Sequence, residues 1–245
     1  MPSIPPFLQL SRLRIAAPRK VHFLHIGKCA GTAIKDLAER INSLPNGPRI
    51  LAHGHSKKLN DLPSDADYFF SVRHPVSRFV SAFCMRKRKE QPRLYREWTA
   101  GEKEAFERFP EANDLAESLF APSAAGQAAF AAMQSIGHMS FQHGWFKVRD
   151  IFAARPPLCV LRQEKLAHDV AHLLRLLDVD PRVGLPDDST RAHRNDYSLT
   201  PPLSVKAIEN LEAWYAVDIA YYRLIDAWVE DNQNRKSPTF GKQAA

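Results

Sequence analysis

Apolar residues fall in two rhythms along the chain. Four short apolar runs read as buried strands: VHFLHI (21–26), RILAH (49–53), DYFFSV (67–72) and PLCVLR (157–162). Between and after them the spacing turns helical. Ile34, Leu37, Ala38 and Ile41 stand at i, i+3, i+4 and i+7, which predicts a helix behind the first run. Val76, Phe79, Val80 and Phe83 repeat that spacing behind the third run, with Pro75 suited to a first helical turn. Leu166, Val170, Leu173, Leu174 and Leu177 form a third stripe. One long last helix is expected from about Ser204 to Val229, with Ile208, Leu211, Tyr215, Tyr222, Ile225 and Val229 among its apolar positions. Strands alternating with helices predict a mostly parallel sheet covered on both faces.

Residues 84–135 break the alternation. They open with the basic stretch CMRKRKEQPRLYREW and close with the small-residue stretch APSAAGQAAFAAMQS. A helical insertion on the α/β core is expected there. Residues 1–19 carry scattered Pro, Arg and Ser and no continuous apolar stretch, and read as a loosely packed leader. Residues 232–245 read as a disordered tail. The whole, 1–245, is expected to be a single domain, a length sufficient for a sizeable core.

Composition narrows the partners more than the fold. The formal net charge of +7 suggests an anionic partner, whether nucleic acid, acidic polymer, membrane surface or polyphosphorylated cofactor. The three cysteines, Cys29, Cys84 and Cys159, follow no zinc spacing, and an odd count argues against a disulfide framework. A reducing, cytoplasmic compartment fits that usage. No run approaches the roughly 18–20 apolar residues of a membrane span. Oligomeric state is not readable.

The candidate chemistry begins at the end of the first strand. There, Gly27-Lys28-Cys29-Ala30-Gly31-Thr32 joins strand to helix. A nucleoside-triphosphate loop of the form GxxxxGK[ST] places its lysine after the second glycine and follows it with a magnesium-holding hydroxyl. Here the lysine precedes the second glycine, and the DYFFSV run ends on Arg73 rather than an acidic residue. Transfer from a nucleoside triphosphate recruits a metal through such groups, so this loop suits metal-free work. The rest of the anion-binding physics is intact. Gly27 and Gly31 let the backbone approach an anion, the helix start near Gly31 and Thr32 is positive, and Lys28 adds a full charge. The expected fold is therefore a P-loop-type three-layer α/β/α with a mostly parallel central sheet and a helical insertion.

A second anion site is expected in FFSVRHPVSRFVSAF (69–83). Arg73 ends the strand, and Ser77 and Ser81 share one side of the following helix with Arg78 nearby. A guanidinium fork and the Ser81 hydroxyl can converge on one anion. Two such sites at the carboxyl ends of two strands imply a ligand with two separate phosphate-like groups.

Together HIGKCAGTAI and VRHPVSRFVSAF resemble the paired cofactor motifs of sulfotransferases that use 3′-phosphoadenosine 5′-phosphosulfate (PAPS). The likeness is to the carbohydrate branch, with heparan, chondroitin and dermatan sulfotransferases and their bacterial relatives. It continues through HMSFQHGWF (138–146), a His-x-x-x-Gln segment, CVLRQEKLAHDV (159–170) and the ending at 194–225, and so spans roughly residues 21–228. The resemblance implies a 5′-phosphosulfate loop of Gly27, Lys28, Cys29, Ala30, Gly31, Thr32 and Ala33. It implies a 3′-phosphate site of Arg73 and Ser81, with Arg194 in a lid beside Arg191, His193 and Asn195. Cys29-Ala30 departs from relatives that carry Thr or Ser with Gly there.

In that reading a sulfuryl group moves from PAPS to a hydroxyl acceptor, a carbohydrate by the resemblance, in line and without a metal. Lys28 faces the leaving phosphate, and a histidine takes the proton. The base candidates are His55 first and His53 second, in LAHGHSKKL after the second strand. His25 reads as a packing residue and Cys29 as loop packing rather than a nucleophile. Residues 85–93 can steer an acidic acceptor or form a solvated helix face. Trp145, Phe146, Tyr95 and Trp98 can stack on sugar or pack in a core. The competing readings are a P-loop kinase or other phosphoryl transferase, and a non-catalytic polyanion-binding module. No nucleic-acid-reading motif supports a DNA or RNA partner.

Overall fold

The computed structural model describes residues 18–146, 151–185 and 201–235. Four strands, β1 (Lys20–Leu24), β2 (Arg49–Ala52), β3 (Tyr68–Val72) and β4 (Cys159–Arg162), form one sheet in the order β2-β1-β3-β4. Every pairing is parallel, with Val21 beside Ile50, Phe23 beside Phe69 and Phe70 beside Val160. Each strand lies on one of the expected apolar runs, trimmed or shifted slightly at its ends. The helices among the described residues are α1 (Gly31–Asn42), α2 (Pro75–Lys87), α3 (Ala100–Arg108), α4 (Ala112–Ser118), α5 (Ala124–Ser135), α6 (Ile151–Ala154), α7 (Leu166–Leu176), α8 (Val205–Trp214) and α9 (Ala216–Arg235).

The strand period of two sorts the sheet's side chains into two cores. Val21, Phe23, Phe69 and Leu161 pack under Ile34 and Leu37 of α1 and Val170 and Leu173 of α7. Leu24, Tyr68, Phe70 and Val160 face the other way, onto Phe146 and onto Ile225 and Val229 of α9. Helices on both faces of a parallel sheet make this a P-loop-type three-layer α/β/α fold. Each fully buried Phe or Leu here contributes about 1.5–3 kcal/mol, so both helix layers are held by the alternation visible in the strands.

The insertion forms a third core. Phe79 and Phe83 of α2 meet Phe106, Leu115 and Met133 of α3, α4 and α5, and Leu211 of α8 closes the cluster. Because α2 runs to Lys87, the insertion begins past residue 84. Its basic stretch is not all surface. Arg86 is buried and donates from Nε and Nη2 to the Glu102 carboxylate at 2.6 Å, fastening α3 to α2.

Two expectations are corrected. The last helix is not continuous: Tyr215, at φ −98 and ψ 23, separates α8 from α9. Its buried ring is drawn inward and its hydroxyl donates to the Met139 carbonyl at 2.9 Å, so a tertiary contact overrides the helical periodicity. The tail segment starts later than residue 232, since α9 extends to Arg235. Residues 236–245, and 1–17 of the leader, lie outside the described residues.

Candidate active site

The strand order places a switch point between β1 and β3. The chain leaving β1 passes through α1 to the outer strand β2, while the chain leaving β3 travels to β4 on the opposite side. Ligand crevices in open α/β sheets form outside the carboxyl ends of such strands. The Gly27–Ala30 loop and Arg73-His74 both lie there.

The loop has a conformation that few side chains adopt. Lys28 (φ 67) and Ala30 (φ 61) are left-handed, whereas no described glycine is. Non-glycine residues held this way carry roughly 1–3 kcal/mol of strain and cluster at ligand sites. The glycines serve a different end. A Cβ on Gly27 would lie 2.5 Å from His138 Nδ1, and one on Gly31 would overlap His25 Nε2. They make room for two imidazole rings. At the start of α1 no side chain caps the helix and its first turn holds no acidic residue. The N–H groups of Gly31, Thr32 and Ala33 thus face the crevice side of the loop with the positive end of the helix dipole. Cys29 is fully buried, and burial pushes its thiol up to about 12, so it stays protonated.

A single side chain ties this loop to the end of β3. Gln142 Oε1 accepts from the Cys29 thiol at 3.3 Å and from the Arg73 backbone N–H at 3.2 Å, and Gln142 Nε2 donates to the Arg73 carbonyl at 2.8 Å. Asp218 accepts from the Gln142 backbone N–H at 2.7 Å and fixes that segment in turn.

Cations converge on the loop. Lys28 Nζ lies 3.2 Å from Met85 Sδ, a weak and uncharged acceptor, and among the described residues no carboxylate pairs with it. Burial, then Arg73 and Arg88, lower its pKa to about 8. Arg78 is buried and donates from Nε to the Gly27 carbonyl at 2.9 Å and from Nη1 to the Ser140 carbonyl at 2.8 Å, bracing the loop from below. Arg93, from the insertion, donates to Thr32 Oγ1 at 2.5 Å. The basic stretch at 85–93 therefore supplies Arg88 and Arg93 to the loop. The expected Arg73–Ser81 convergence takes another form. Arg73 Nε donates to Ser77 Oγ at 3.0 Å, while Ser81, one turn on, is buried at 2 % exposure.

The two corners at the sheet edge differ in what fills them. At the start of α2, Glu164 Oε1 accepts from the His74 N–H at 2.8 Å and from Ser77 Oγ at 3.1 Å, and Glu164 Oε2 accepts from Tyr222 at 2.9 Å. A carboxylate of the protein thus stands against the N-cap N–H and the Ser77 hydroxyl, although α2, like α1, has no side-chain cap and no acid in its first turn.

Three histidines surround the loop. The His55 ring centroid lies 4.0 Å from that of His25 and 5.2 Å from that of His138, and His55 Nδ1 is 3.2 Å from the His25 carbonyl. Burial pulls all three below the usual imidazole range, with Lys28 and Arg78 adding to it at His55 and His138; His25 falls to about 3 and His138 to about 4. All are neutral at physiological pH and able to accept a proton. His53 belongs elsewhere. Its Nε2 lies 2.9 Å from His22 Nδ1 and their rings stack. His25 packs on Phe23, as expected of a core residue, yet it also borders the loop. Trp145 and Phe146 are core residues, Trp98 packs against the insertion core, and Tyr95 is exposed. Arg191, His193, Arg194 and Asn195 lie outside the described residues.

His138, Gln142 and Glu164 are the site residues that reasoning from single motifs undervalued. The His-x-x-x-Gln spacing and the two ring-accommodating glycines were the available signals.

A parallel α/β sheet with an uncapped, lysine-bearing helix start at its switch point defines a P-loop-type protein built to hold phosphate-like anions. A family model described as the sulfotransferase family matches residues 11–224, and the chain belongs to that family. No curated protein matches it. Membership makes it a transferase that moves sulfuryl groups to a hydroxyl-bearing acceptor, and the family generally uses PAPS as donor. Among the described residues no helix is long and apolar enough to cross a membrane.

Proposed function

We propose that this sulfotransferase uses PAPS and transfers its sulfuryl group in line to a hydroxyl of a carbohydrate acceptor, without a metal, with His55 as the base. The observation that carries the reading is the uncapped start of α1, with Lys28 beside it, bonded only to a thioether among the described residues, and a neutral histidine cluster across the loop. Backbone N–H groups and Lys28 stand ready for an anion at one corner and the Arg73 guanidinium at the other, where the Ser77 hydroxyl is already shared with Glu164. Gly27, Lys28, Cys29, Ala30, Gly31, Thr32 and Ala33 would hold the 5′-phosphosulfate, and Arg73 the 3′-phosphate, with Ser81 behind it in α2. When bound, PAPS supplies an activated sulfuryl group and a bisphosphate leaving group.

His55 accepts the acceptor's proton as the new oxygen–sulfur bond forms and the sulfur–oxygen bond to the phosphate breaks. The electron pair of the broken bond stays on the phosphate oxygen, where Lys28 and the α1 N–H groups meet the added charge. His55 suits the base and His53 does not, because only His55 joins the cluster at the loop. The carbohydrate acceptor rests on the motif resemblance alone.

Calorimetric titration with adenosine 3′,5′-bisphosphate in the presence of a chelator tests the donor site. Wild type is expected to bind, and Lys28→Ala and Arg73→Ala to lose about tenfold or more in affinity. Wild type that ignores the bisphosphate and binds magnesium-ATP instead would replace this reading with a phosphoryl transferase.

A further inference from the structure

The insertion encloses a pocket of about 690 Å³ that the donor reading leaves unused. One wall comes from α5, through Phe130 and Met133. The second is the 136–141 segment, and the third is the end of α8, where Trp214 stands. Phe120, Phe130 and Phe141 are 60 %, 52 % and 38 % exposed. All three gather around Trp214: Phe130 meets it edge-on at 5.2 Å, Phe141 stacks at 6.2 Å and Phe120 lies at 6.3 Å. Exposed aromatic rings grouped in a concavity leave apolar surface wet that a ligand would cover. Among the described residues, every side chain lining the pocket is uncharged.

The pocket also reaches the chemistry. His138 lines it, and the same ring abuts Gly27 of the anion loop and meets His55 edge-on. The Ser140 carbonyl, on the pocket's 136–141 wall, accepts from Arg78, which in turn donates to the Gly27 carbonyl. A molecule seated against the four aromatic rings would therefore have its inner end at His138, one imidazole from the proposed base.

We propose that this pocket is the acceptor site and that it takes an uncharged hydroxyl compound with an apolar body, the body lying on Phe120, Phe130, Phe141 and Trp214 and the hydroxyl at His138. The proposal rests on the sulfotransferase reading and narrows its acceptor. A polyanionic polymer would meet no cation among the described residues lining this pocket and would leave the aromatic walls uncovered. An apolar body gains from burial on rings, and a neutral one pays no desolvation of charge.

The test uses 2-naphthol and octyl glucoside as neutral apolar probes, heparosan fragments as a polyanionic probe, and the full chain with adenosine 3′,5′-bisphosphate bound. Calorimetry is expected to show binding of both neutral probes. Trp214→Ala is expected to weaken it about tenfold, consistent with the loss of one large aromatic contact. Phe130→Glu, at an exposed position where folding is not at risk, is expected to weaken it at least as much. Neither variant should change bisphosphate affinity. With PAPS present, wild type should sulfate the neutral probes in preference to heparosan. Two results would overturn the proposal: neutral probes that fail to bind wild type, or that bind both variants as tightly as wild type. Selective sulfation of heparosan with both variants fully active would do the same. Loss of bisphosphate binding by wild type would instead strike the donor reading, since the same probe titrations run without the bisphosphate still report on the pocket.

Discussion

Two strand–turn–helix corners sit side by side at the switch point, and they have been finished in opposite ways. At the start of α2, Glu164 takes the His74 N–H and the Ser77 hydroxyl, and Tyr222 holds its other oxygen. At the start of α1 no side chain caps the helix, no acid stands in the first turn, and Lys28 leans on a thioether. A helix start attracts negative charge wherever its N–H groups are unsatisfied. Neither helix has a side-chain cap or an acid in its first turn; at α2 a carboxylate from elsewhere in the fold stands against the N-cap N–H and the Ser77 hydroxyl, and at α1 none among the described residues does. The difference teaches that anion capacity is decided by what the remainder of the fold withholds, since both corners look alike as strand, turn and helix. It also leaves Arg73 a side-chain role, since its own N–H and carbonyl are held by Gln142.

The sharpest way to break the contrast is to plug the open corner as the other one is plugged. Thr32→Glu puts a carboxylate in the first turn of α1, within reach of Arg93, which already contacts position 32. Helix α1 should gain about 0.3–1 kcal/mol from the dipole, so the melting temperature should hold or rise. Donor turnover should fall by roughly a thousandfold, because the carboxylate occupies the site and repels the phosphosulfate. Thermal melts beside kcat/KM for PAPS would show the two moving in opposite directions. A variant that stays active would mean that the α1 start is not the donor site.

Much of this arrangement was legible in the chain. The four strands and the stripes of α1, α2 and α7 follow from local periodicity, because each apolar face meets one continuous apolar layer, that of α2 being the insertion core. Gly27, Lys28 and Gly31 mark the loop by residue type and spacing, although what demands glycine at 27 is the His138 ring, brought in from far along the chain. Gln142 and Glu164 were hidden because each acts on backbone about 70 to 90 positions away in sequence, at spacings the strand order sets. Arg86 hid in a run of charges that looks like surface and proved to be an internal anchor. Tyr215 kept the helical period while its hydroxyl was committed to Met139. Periodicity tells which face is apolar; it is silent on which distant polar group fills a corner.

The open corner is also the more crowded one, which gives a second, smaller effect. Gly31→Ala would drive a methyl group into His25 Nε2, and His25 is walled in at 8 % exposure. Overpacking of this kind costs about 1–3 kcal/mol, a fall in melting temperature of roughly 2–12 °C for a chain of this size. In a His25→Ala background the same change should cost far less, giving a coupling above about 1 kcal/mol in a double-mutant cycle. Equal costs in both backgrounds would mean that the ring is not what demands glycine at 31.

The gentlest test leaves the chain intact and varies pH. Lys28, lowered to about 8 by burial and by Arg73 and Arg88, is charged below that value and neutral above it. The open corner should therefore lose the Lys28 charge as pH rises, and kcat/KM for the donor should fall by about fivefold between pH 8 and 9. The acid side should be quiet by comparison. His55 is held below the usual 6.5 and His138 near 4, so both stay neutral, and the base stays competent, as pH falls from 8 to 6.5. The decline should begin only below 6.5. Lys28→Arg keeps a charge that does not titrate in this range, so the alkaline fall should vanish even if the absolute rate drops with the changed geometry. An alkaline limb that persists in Lys28→Arg would assign it to some other group and remove Lys28 from the site that the uncapped helix creates.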